Sequence, residues 1–234
     1  MAGHSKWAQI KRKKAVTDEK RSKIFSKTAR LIAVESKKAK GDTQAPGLRL
    51  AIQKAKEVNM PAENIERAVR KGREDTTAGM EEVVYEAYGP GGSAFLLSGL
   101  TDNSNRTTNE IKHILDDRGG RLATAGSVLW LFEKKMVFEF VVAPDRELEL
   151  IDAGAEDTAL EGETIRALVD PANGNTFAER IKRMNFEPTR SFIAALPKTT
   201  VVLLGEDREK AVSLAEALED HDDINEVWTN IASD

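Results

Sequence analysis

The N-terminal fold is decided by residues 17–41, TDEKRSKIFSKTARLIAVESKKAKG. Thr17 is a suitable N-cap, the acids after it suit the positive end of a helix dipole, and Gly41 suits a helix C-terminus. At about 100° per residue, apolar side chains from Ile24 to Ile32 fall on one face and cations fall on the opposite face. This stretch therefore predicts one long helix that packs through its apolar face and presents cations on the other.

Positive charge is concentrated at this end of the chain. The first forty residues hold thirteen Lys or Arg and three acids, a net charge of +10, whereas the whole chain of 234 residues carries −4. Extending the count to Arg73 gives +13, which leaves −17 for the remainder. Such asymmetry predicts that the basic end binds a polyanion and that the acidic remainder limits nonspecific association.

The predicted nucleic-acid-binding residues lie on this helix and in the segment before it. That segment combines hydroxyl and imidazole donors, cations and an indole that can stack on a base. The full set is His4, Ser5, Lys6, Trp7, Lys11, Arg12, Lys13, Lys14, Lys20, Arg21, Lys23, Lys27, Arg30 and Lys37. A solvated face is the ordinary interpretation of a Lys-rich helix, and the concentration of charge at one end favours binding instead. For Trp7, base stacking and docking on the helices stay open as equal alternatives.

Composition excludes several classes of protein. The length and a hydrophobic content of 40% predict two or three domains with their own cores. There is no cysteine, which excludes disulfides and cysteine-based zinc sites and fits a reducing cytosol. No apolar run could span a bilayer, and a polar basic stretch follows Met1, so we expect a soluble cytoplasmic protein. The acids Asp18 and Glu19 argue against a mitochondrial presequence.

Helical spacing continues beyond the first helix and then stops. Apolar side chains repeat at helical spacing at 48–58 and 65–69, and Gly72 suits the end of a third helix. Four cations extend the basic surface there: Arg67, Arg70, Lys71 and Arg73. Residues 72–79 are polar and aperiodic, which predicts a linker as the only connection to the rest of the chain. Residues 1–75 are therefore predicted to form a basic three-helix domain that binds nucleic acid.

Residues 80–133 begin an α+β domain. Residues 82–88 alternate in side-chain polarity like a strand, and residues 94–100 predict a second strand. The glycine-rich segment 89–92 turns the chain between them, which predicts a hairpin. That segment is not a phosphate loop, because a strand rather than a helix follows it. A helix closed by two glycines comes next, and residues 127–132 predict a further strand.

The next segment, residues 134–196, predicts a second sheet. Its elements follow the βαββαβ order of ferredoxin-like domains. They are strands at 136–142, 158–160, 164–169 and 188–195, with helices at 146–152 and 176–184. The tail predicts a strand at 199–204, a helix at 207–218 and a strand at 226–231. Because the first sheet needs these elements, we expect residues 197–234 to complete the middle domain around an inserted ferredoxin-like domain. The predicted fold class is thus multidomain α+β.

Six short motifs together resemble one known family. In chain order they are MAGHSKW at 1–7, KIF at 23–25, YEAYGPGG at 85–92, DNSNRT at 102–107, GG at 119–120 and GSV at 126–128. They are similar, in this order and over essentially the full chain, to the YebC/PmpR family. Two departures are Ala87, where glycine is usual, and the chain after Thr199, which is less typical.

This resemblance implies both a fold and a function. The implied fold has a helical N-terminal domain, an α+β middle domain and a ferredoxin-like domain inserted in it. The implied function is that of a cytoplasmic DNA-binding transcriptional regulator or, as in other members, of a ribosome-associated translation factor. The family has no catalytic residues to transfer to this chain.

Metal-dependent chemistry is the alternative class. His4, His113 and His221 have no metal-ligand spacing, so we expect no zinc site. Acids at 116–117 and within 220–223 could serve a metal-dependent nuclease or another phosphoester enzyme, although acids at helix ends are usually solvated.

Three other side chains carry specific expectations. Trp130 and Trp228 lie in strand-like patterns, which predicts that both pack in a core or between domains. Arg106 opens a predicted helix and is a candidate phosphate contact, with helix capping as the ordinary explanation of its motif.

We therefore expect a non-enzymatic, nucleic-acid-binding regulator of gene expression that needs no cofactor and no membrane. Phosphate contacts carry no sequence information, so charge does not separate DNA from ribosomal RNA. The spread of the cations and the indole of Trp7 favour folded RNA, which predicts tighter binding to ribosomes than to random duplex DNA. A monomer is compatible with the sequence, which does not define the oligomeric state.

Overall fold

The computed structural model describes residues 18–74, 79–141 and 146–232. In chain order its helices and strands are α1 (Asp18–Lys38), α2 (Pro46–Glu57), α3 (Ala62–Arg73), β1 (Glu81–Tyr88), β2 (Ala94–Thr101), α4 (Ser104–Asp117), β3 (Arg121–Leu122), β4 (Phe132–Phe140), α5 (Glu147–Asp152), β5 (Asp157–Glu161), β6 (Thr164–Val169), α6 (Gly174–Arg183), β7 (Arg190–Pro197), α7 (Gly205–Asp220) and β8 (Ile224–Thr229). Helices and antiparallel strand pairs occur together, so the predicted α+β class is confirmed. Among these residues, no helix has the length and apolar character needed to cross a membrane.

The described residues fall into two units. The first unit draws on Met1–Phe132 and Pro197–Asp234, and the second is Glu133–Leu196. The chain therefore leaves the first unit at β4 and returns to it at the end of β7.

Helices α1, α2 and α3 pack around one apolar cluster in the first unit. Its buried members are Ile32, Leu48, Ala51, Ala55, Met60, Ile65 and Ala68. Gly72 lies inside α3 instead of terminating it, because the helix continues to Arg73. A β-carbon on Gly72 would come within 2.2 Å of the carbonyl oxygen of Ala33, so this glycine allows α1 and α3 to pack closely.

A four-stranded sheet with the order β3-β1-β2-β8 forms the rest of the first unit. The predicted hairpin of β1 and β2 is present, with a 3₁₀ turn at Pro90–Gly92. Helices α4 and α7 join this sheet in a second apolar cluster through Ile111, Leu115, Leu214 and Leu218. The sheet and its two helices thus share one core.

The tail of the chain supplies an edge of this sheet. Strand β8 pairs antiparallel with β2, and Val201 forms an isolated parallel bridge to Ile231. The strand predicted at 199–204 is otherwise wrong, because the chain leaves the sheet after this bridge to enter α7. Val202 and Leu204 are exposed as a result.

The second unit follows the element order β-α-β-β-α-β with the spatial strand order β5-β6-β4-β7. Strand β6 pairs antiparallel with β4 and with β5. Phe138 of β4 contacts Phe177 of α6, with ring centroids 4.9 Å apart, so this helix packs on the sheet. Phe140 makes a similar contact with Phe186 at 5.7 Å.

The strand predicted at 127–132 is wrong. This segment is a turn followed by a 3₁₀ helix, Leu129–Leu131. The cause is Glu86 of β1, whose carboxylate accepts hydrogen bonds from the backbone N–H groups of Gly126, Val128 and Leu129 at 2.6, 2.6 and 2.7 Å. Those N–H groups cannot also enter a strand ladder.

The two tryptophans with predicted packing roles differ in exposure. Trp228 is half-buried in β8, as a packing residue should be. Trp130 was expected to pack in the same way and does not, because it lies on the 3₁₀ helix with 65% of its surface exposed. Loss of the strand therefore places this indole in solvent.

Candidate nucleic-acid interface

The predicted binding residues divide into a part that the structure describes and a part that it does not. Outside the described residues lie His4, Ser5, Lys6, Trp7, Lys11, Arg12, Lys13 and Lys14. On α1 lie Lys20, Arg21, Lys23, Lys27, Arg30 and Lys37. Arg21 and Lys37 are exposed, and Lys23 is half-buried.

Lys20, Lys27 and Arg30 contact the acidic segment that joins α7 to β8. We call residues 219–223 the acidic corner, and these three side chains the inward cations. Nζ of Lys20 lies 3.3 Å from Oδ2 of Asp220. Nζ of Lys27 donates a hydrogen bond to the backbone carbonyl of residue 219 at 2.6 Å. The α1 face predicted to meet solvent therefore packs, at these positions, against the chain's own acidic groups.

Arg30 contributes the most buried of these contacts. Its Nη1 donates to Oδ1 of Asp223 at 3.0 Å, and its Nη2 donates to the carbonyl of Asp222. The side chain of Arg30 keeps 34% of its surface exposed, whereas that of Asp223 keeps 6%. The expectation that Lys27 and Arg30 point freely to solvent is therefore wrong, because a buried carboxylate and two carbonyl groups require donors at this position.

Asp223 connects four elements. Its carboxylate accepts from Nη2 of Arg106 at 2.8 Å, and Oγ1 of Thr107 and Oγ1 of Thr101 lie 2.8 and 3.2 Å away. Burial by itself raises the pKa of Asp223, but these hydrogen bonds and that of Arg30 outweigh it and lower the pKa to about 2, from 3.8. The carboxylate is thus ionised at neutral pH and holds α1, β2 and α4 to the start of β8.

Arg106 was a candidate phosphate contact and lies in this network. Besides Asp223, its Nη2 lies 2.9 Å from Oδ1 of Asp102. The motif around it also caps α4, since the side chain of Asn103 accepts the backbone N–H of Arg106 at 3.1 Å. Internal pairing and capping together account for this part of the sequence.

Two further ion pairs join the three helices to the sheet. Lys38 of α1 pairs with Glu82 of β1, and Lys54 of α2 pairs with Glu226 of β8. The prediction that a polar linker is the only connection between these regions is therefore wrong. Pairs of this kind depend on residues far apart in the sequence, so the charge pattern of either segment alone does not predict them.

Other cations of the three helices, and one in the turn after α1, are exposed. They are Arg21, Lys37, Lys40, Arg49, Lys56, Arg67, Arg70, Lys71 and Arg73. Arg67, Arg70 and Lys71 follow i, i+3, i+4 spacing on α3, so they lie on one side of that helix, and we call them the outward cations. Buried Ile65 and Ala68 lie on the side that packs in the bundle.

One group of described side chains has the composition of a metal site. Ligand atoms of Glu110, His221 and Asp223 lie within 4.8 Å of one another. Nδ1 of His221 accepts the backbone N–H of Asp223 at 3.1 Å, so Nε2 carries the proton and donates to Glu110 at 3.0 Å. A metal would have to displace this proton, and Asp223 already binds two guanidinium groups. Hydrogen bonding within the protein accounts for the group.

Comparison with known proteins matches the chain in two consecutive segments. Residues 5–75 match the family described as the TACO1/YebC protein N-terminal domain. Residues 80–231 match the family described as the TACO1/YebC second and third domain.

Similar full-length proteins have related names. A probable transcriptional regulatory protein of Caldanaerobacter subterraneus subsp. tengcongensis is 42% identical over 238 residues, which cover 99% of this chain and 98% of that protein. A probable transcriptional regulatory protein of Fervidobacterium nodosum is 43% identical over 241 residues, covering 100% of this chain and 95% of the relative. The crystal structure of a conserved hypothetical protein from Aquifex aeolicus aligns with a TM-score of 0.85 at 38% identity, covering 97% of this chain and 96% of that one.

Proposed function

We propose a function for this chain, which belongs to the TACO1/YebC family. It is a non-enzymatic regulator of gene expression, and it binds nucleic acid through its N-terminal helices. The names of both relatives support a regulator. One observation carries the binding proposal: the three helices expose many cations, whereas the chain after Arg73 has a net charge of −17. Dispersed exposed cations fit the regularly spaced phosphates of a nucleic-acid backbone.

We assign three domains to this function. Residues 1–75 form the basic binding domain, residues 80–133 with 197–234 form the middle domain, and residues 134–196 form a ferredoxin-like domain inserted in it. Pairing of β8 with β2 supports the return of the tail to the middle domain. The β-α-β-β-α-β element order and the strand order of the second unit support the inserted domain.

We place the phosphate contacts on two groups of side chains. The first group is the outward cations with the exposed Arg21 and Lys37 of α1. The second group is the predicted residues between 4 and 14. Lys27 and Arg30 contact phosphate only if a polyanion displaces the acidic corner, because that corner already occupies them.

Two targets fit this interface, and each has one supporting observation. The names of the relatives favour DNA. In the described residues the exposed cations are spread over three helices, which favours folded RNA such as that of the ribosome.

Binding of the full-length protein to three labelled targets at one salt concentration tests the function. The targets are random-sequence duplex DNA, a structured RNA hairpin and purified ribosomes. Tighter binding to ribosomes than to the duplex assigns the RNA role, and strong preference for one duplex sequence assigns the DNA role. We expect that replacing Arg67, Arg70 and Lys71 by Gln weakens binding to every target.

A matched control removes the same charge from the second unit. Lys134, Lys182 and Arg183 are exposed there, and their replacement by Gln should leave binding unchanged. Equal losses in the two triple variants would contradict an interface on the N-terminal helices. Cleavage of any target in the presence of magnesium would contradict a non-enzymatic role and favour the phosphoester enzyme.

A further inference from the structure

An exposed aromatic side chain in the middle domain has no role in the interface described above. Trp130 is 65% exposed and the neighbouring Leu129 is 45% exposed. Both belong to the first unit and lie on the short 3₁₀ helix between β3 and β4. Tryptophan is on average a highly buried residue, so an indole held in solvent points to a ligand or partner.

The segment that carries Trp130 is anchored to the sheet. The Glu86 carboxylate, in a side chain that is 6% exposed, accepts three backbone N–H groups of residues 126–129. Gly126 has a φ of +86°, a conformation that few side chains adopt, and it shapes the turn that brings these N–H groups together. The indole is therefore positioned before any ligand binds, which lowers the entropy cost of a stacking contact.

A chain of contacts leads from the indole through Ser127 and Tyr88 to the guanidinium of Arg121. The Ser127 carbonyl accepts hydrogen bonds from Nε1 of Trp130 at 2.9 Å and from the hydroxyl of Tyr88 at 3.1 Å. The guanidinium of Arg121 lies 4.7 Å from the ring centroid of Tyr88. Because Ser127 uses the one donor of the indole, the exposed ring face rather than the N–H group is available to a ligand.

The surrounding charge selects the class of ligand. Residues 118–132 contain Arg118 and Arg121 and no Asp or Glu, although the chain after Arg73 carries −17. The described segment thus combines an aromatic face with cations in a region of the protein that is otherwise acidic. Aromatic faces that stack on bases, together with cations that contact phosphates, bind single-stranded nucleic acid.

We propose that Trp130 and Arg121 form a second nucleic-acid contact, in which an unpaired base stacks on the indole and Arg121 contacts the adjacent phosphate. The proposal rests on the nucleic-acid-binding function proposed above and adds a preference for single strands or loops. A duplex keeps its bases stacked inside, so it cannot use the indole in this way.

The test measures binding of full-length protein to labelled oligouridine RNA and to a blunt DNA duplex. Replacing Trp130 by Ala should weaken oligouridine binding about tenfold and leave duplex binding unchanged, and Trp130→Phe should restore most of the loss. Arg121→Gln should make the salt dependence for oligouridine shallower by about 0.7. Leu204→Ala, which alters another exposed apolar residue of the first unit, should change neither.

The outcomes separate this inference from the proposed function. If the wild type binds neither probe, both are overturned. If the wild type binds and Trp130→Ala binds oligouridine equally well, only the second contact is overturned. Equal losses for the single strand and the duplex would also contradict base stacking. Thermal melting checks folding, and we expect Trp130→Ala to melt with the wild type because its side chain is exposed.

Discussion

The inward cations of α1 and the outward cations of α3 belong to one three-helix cluster and differ in what they face. Lys20, Lys27 and Arg30 contact the acidic corner of the protein itself. Arg67, Arg70 and Lys71 of α3 are exposed. The sequence gives the number of cations in a segment. The packing of distant segments against it determines which of these cations an external polyanion can reach.

The inward contacts differ among themselves in strength. The Lys20–Asp220 pair has both side chains more than half exposed, and such surface pairs contribute about 0–1 kcal/mol. Arg30 binds a carboxylate that is almost fully buried, so loss of either partner has a larger effect. The contact between Arg30 and Asp223 therefore contributes most to stability among the contacts of the inward cations.

The largest expected effect comes from removing the acceptor of the inward set. Asp223→Ala leaves Arg30, Arg106 and two threonine hydroxyls without this partner, and we expect a loss of about 3–5 kcal/mol in the free energy of unfolding. Urea unfolding followed by tryptophan fluorescence measures it, since Trp130 and Trp228 both belong to the first unit. A decrease in the free energy of unfolding below about 1 kcal/mol would show that the hydrogen bonds of Asp223 contribute little to stability.

The pH dependence of stability should show the titration of the Asp223 carboxylate. Because the pKa of Asp223 is lowered, its contribution is complete above its ordinary pKa of 3.8 and is lost as pH falls towards about 2. A shift of this size corresponds to about 2 kcal/mol. The free energy of unfolding should depend less on pH across this acid range in Asp223→Asn than in the wild type. If its slope against pH is the same in both proteins, Asp223 is not the titrating group.

Removing the inward donor should have a smaller effect than removing its acceptor. Arg30→Gln leaves Asp223 with Arg106 and the threonine hydroxyls, so we expect a loss of about 1–3 kcal/mol in urea unfolding. Lys20→Gln, at the exposed end of the same set, is the control and should lose under about 1 kcal/mol. A Lys20 effect equal to that of Arg30 would contradict the ranking by burial.

The smallest effect on stability should come from the outward set. Replacement of Arg67, Arg70 and Lys71 by Gln should change the free energy of unfolding by about 0.5 kcal/mol or less per residue, because exposed side chains away from special features contribute little. A larger destabilisation in the same urea experiment would mean that these cations hold the fold, and their loss of nucleic-acid binding could then not be assigned to direct contact.

Much of the fold could be predicted from local pattern. Helical spacing predicted the three N-terminal helices, and alternation with a glycine-rich turn predicted the hairpin of β1 and β2. These features succeed because the residues that specify them are close in the sequence. The α+β class follows from the same patterns.

The features that were missed depend on distant residues. Lys27 and Arg30 bind groups that lie 192 and 193 residues further along the chain, so no local pattern contains both partners. The segment 127–132 has the composition of a strand, but Glu86, some 40 residues earlier, binds the N–H groups that a strand would need. Contacts between residues distant in the sequence thus determine which cations of α1 are exposed and why Trp130 lies in solvent.

The salt dependence of duplex binding tests the central claim most directly. The wild type, the outward triple Gln variant and a triple Gln variant of Lys20, Lys27 and Arg30 are compared with one DNA duplex over a range of salt concentrations. If the acidic corner occupies the inward cations, the outward variant should have a slope of log affinity against log salt that is shallower by about 2–3, and the inward variant by less than about 1. An inward variant that loses as much slope as the outward one, or an outward variant with an unchanged slope, would contradict this account.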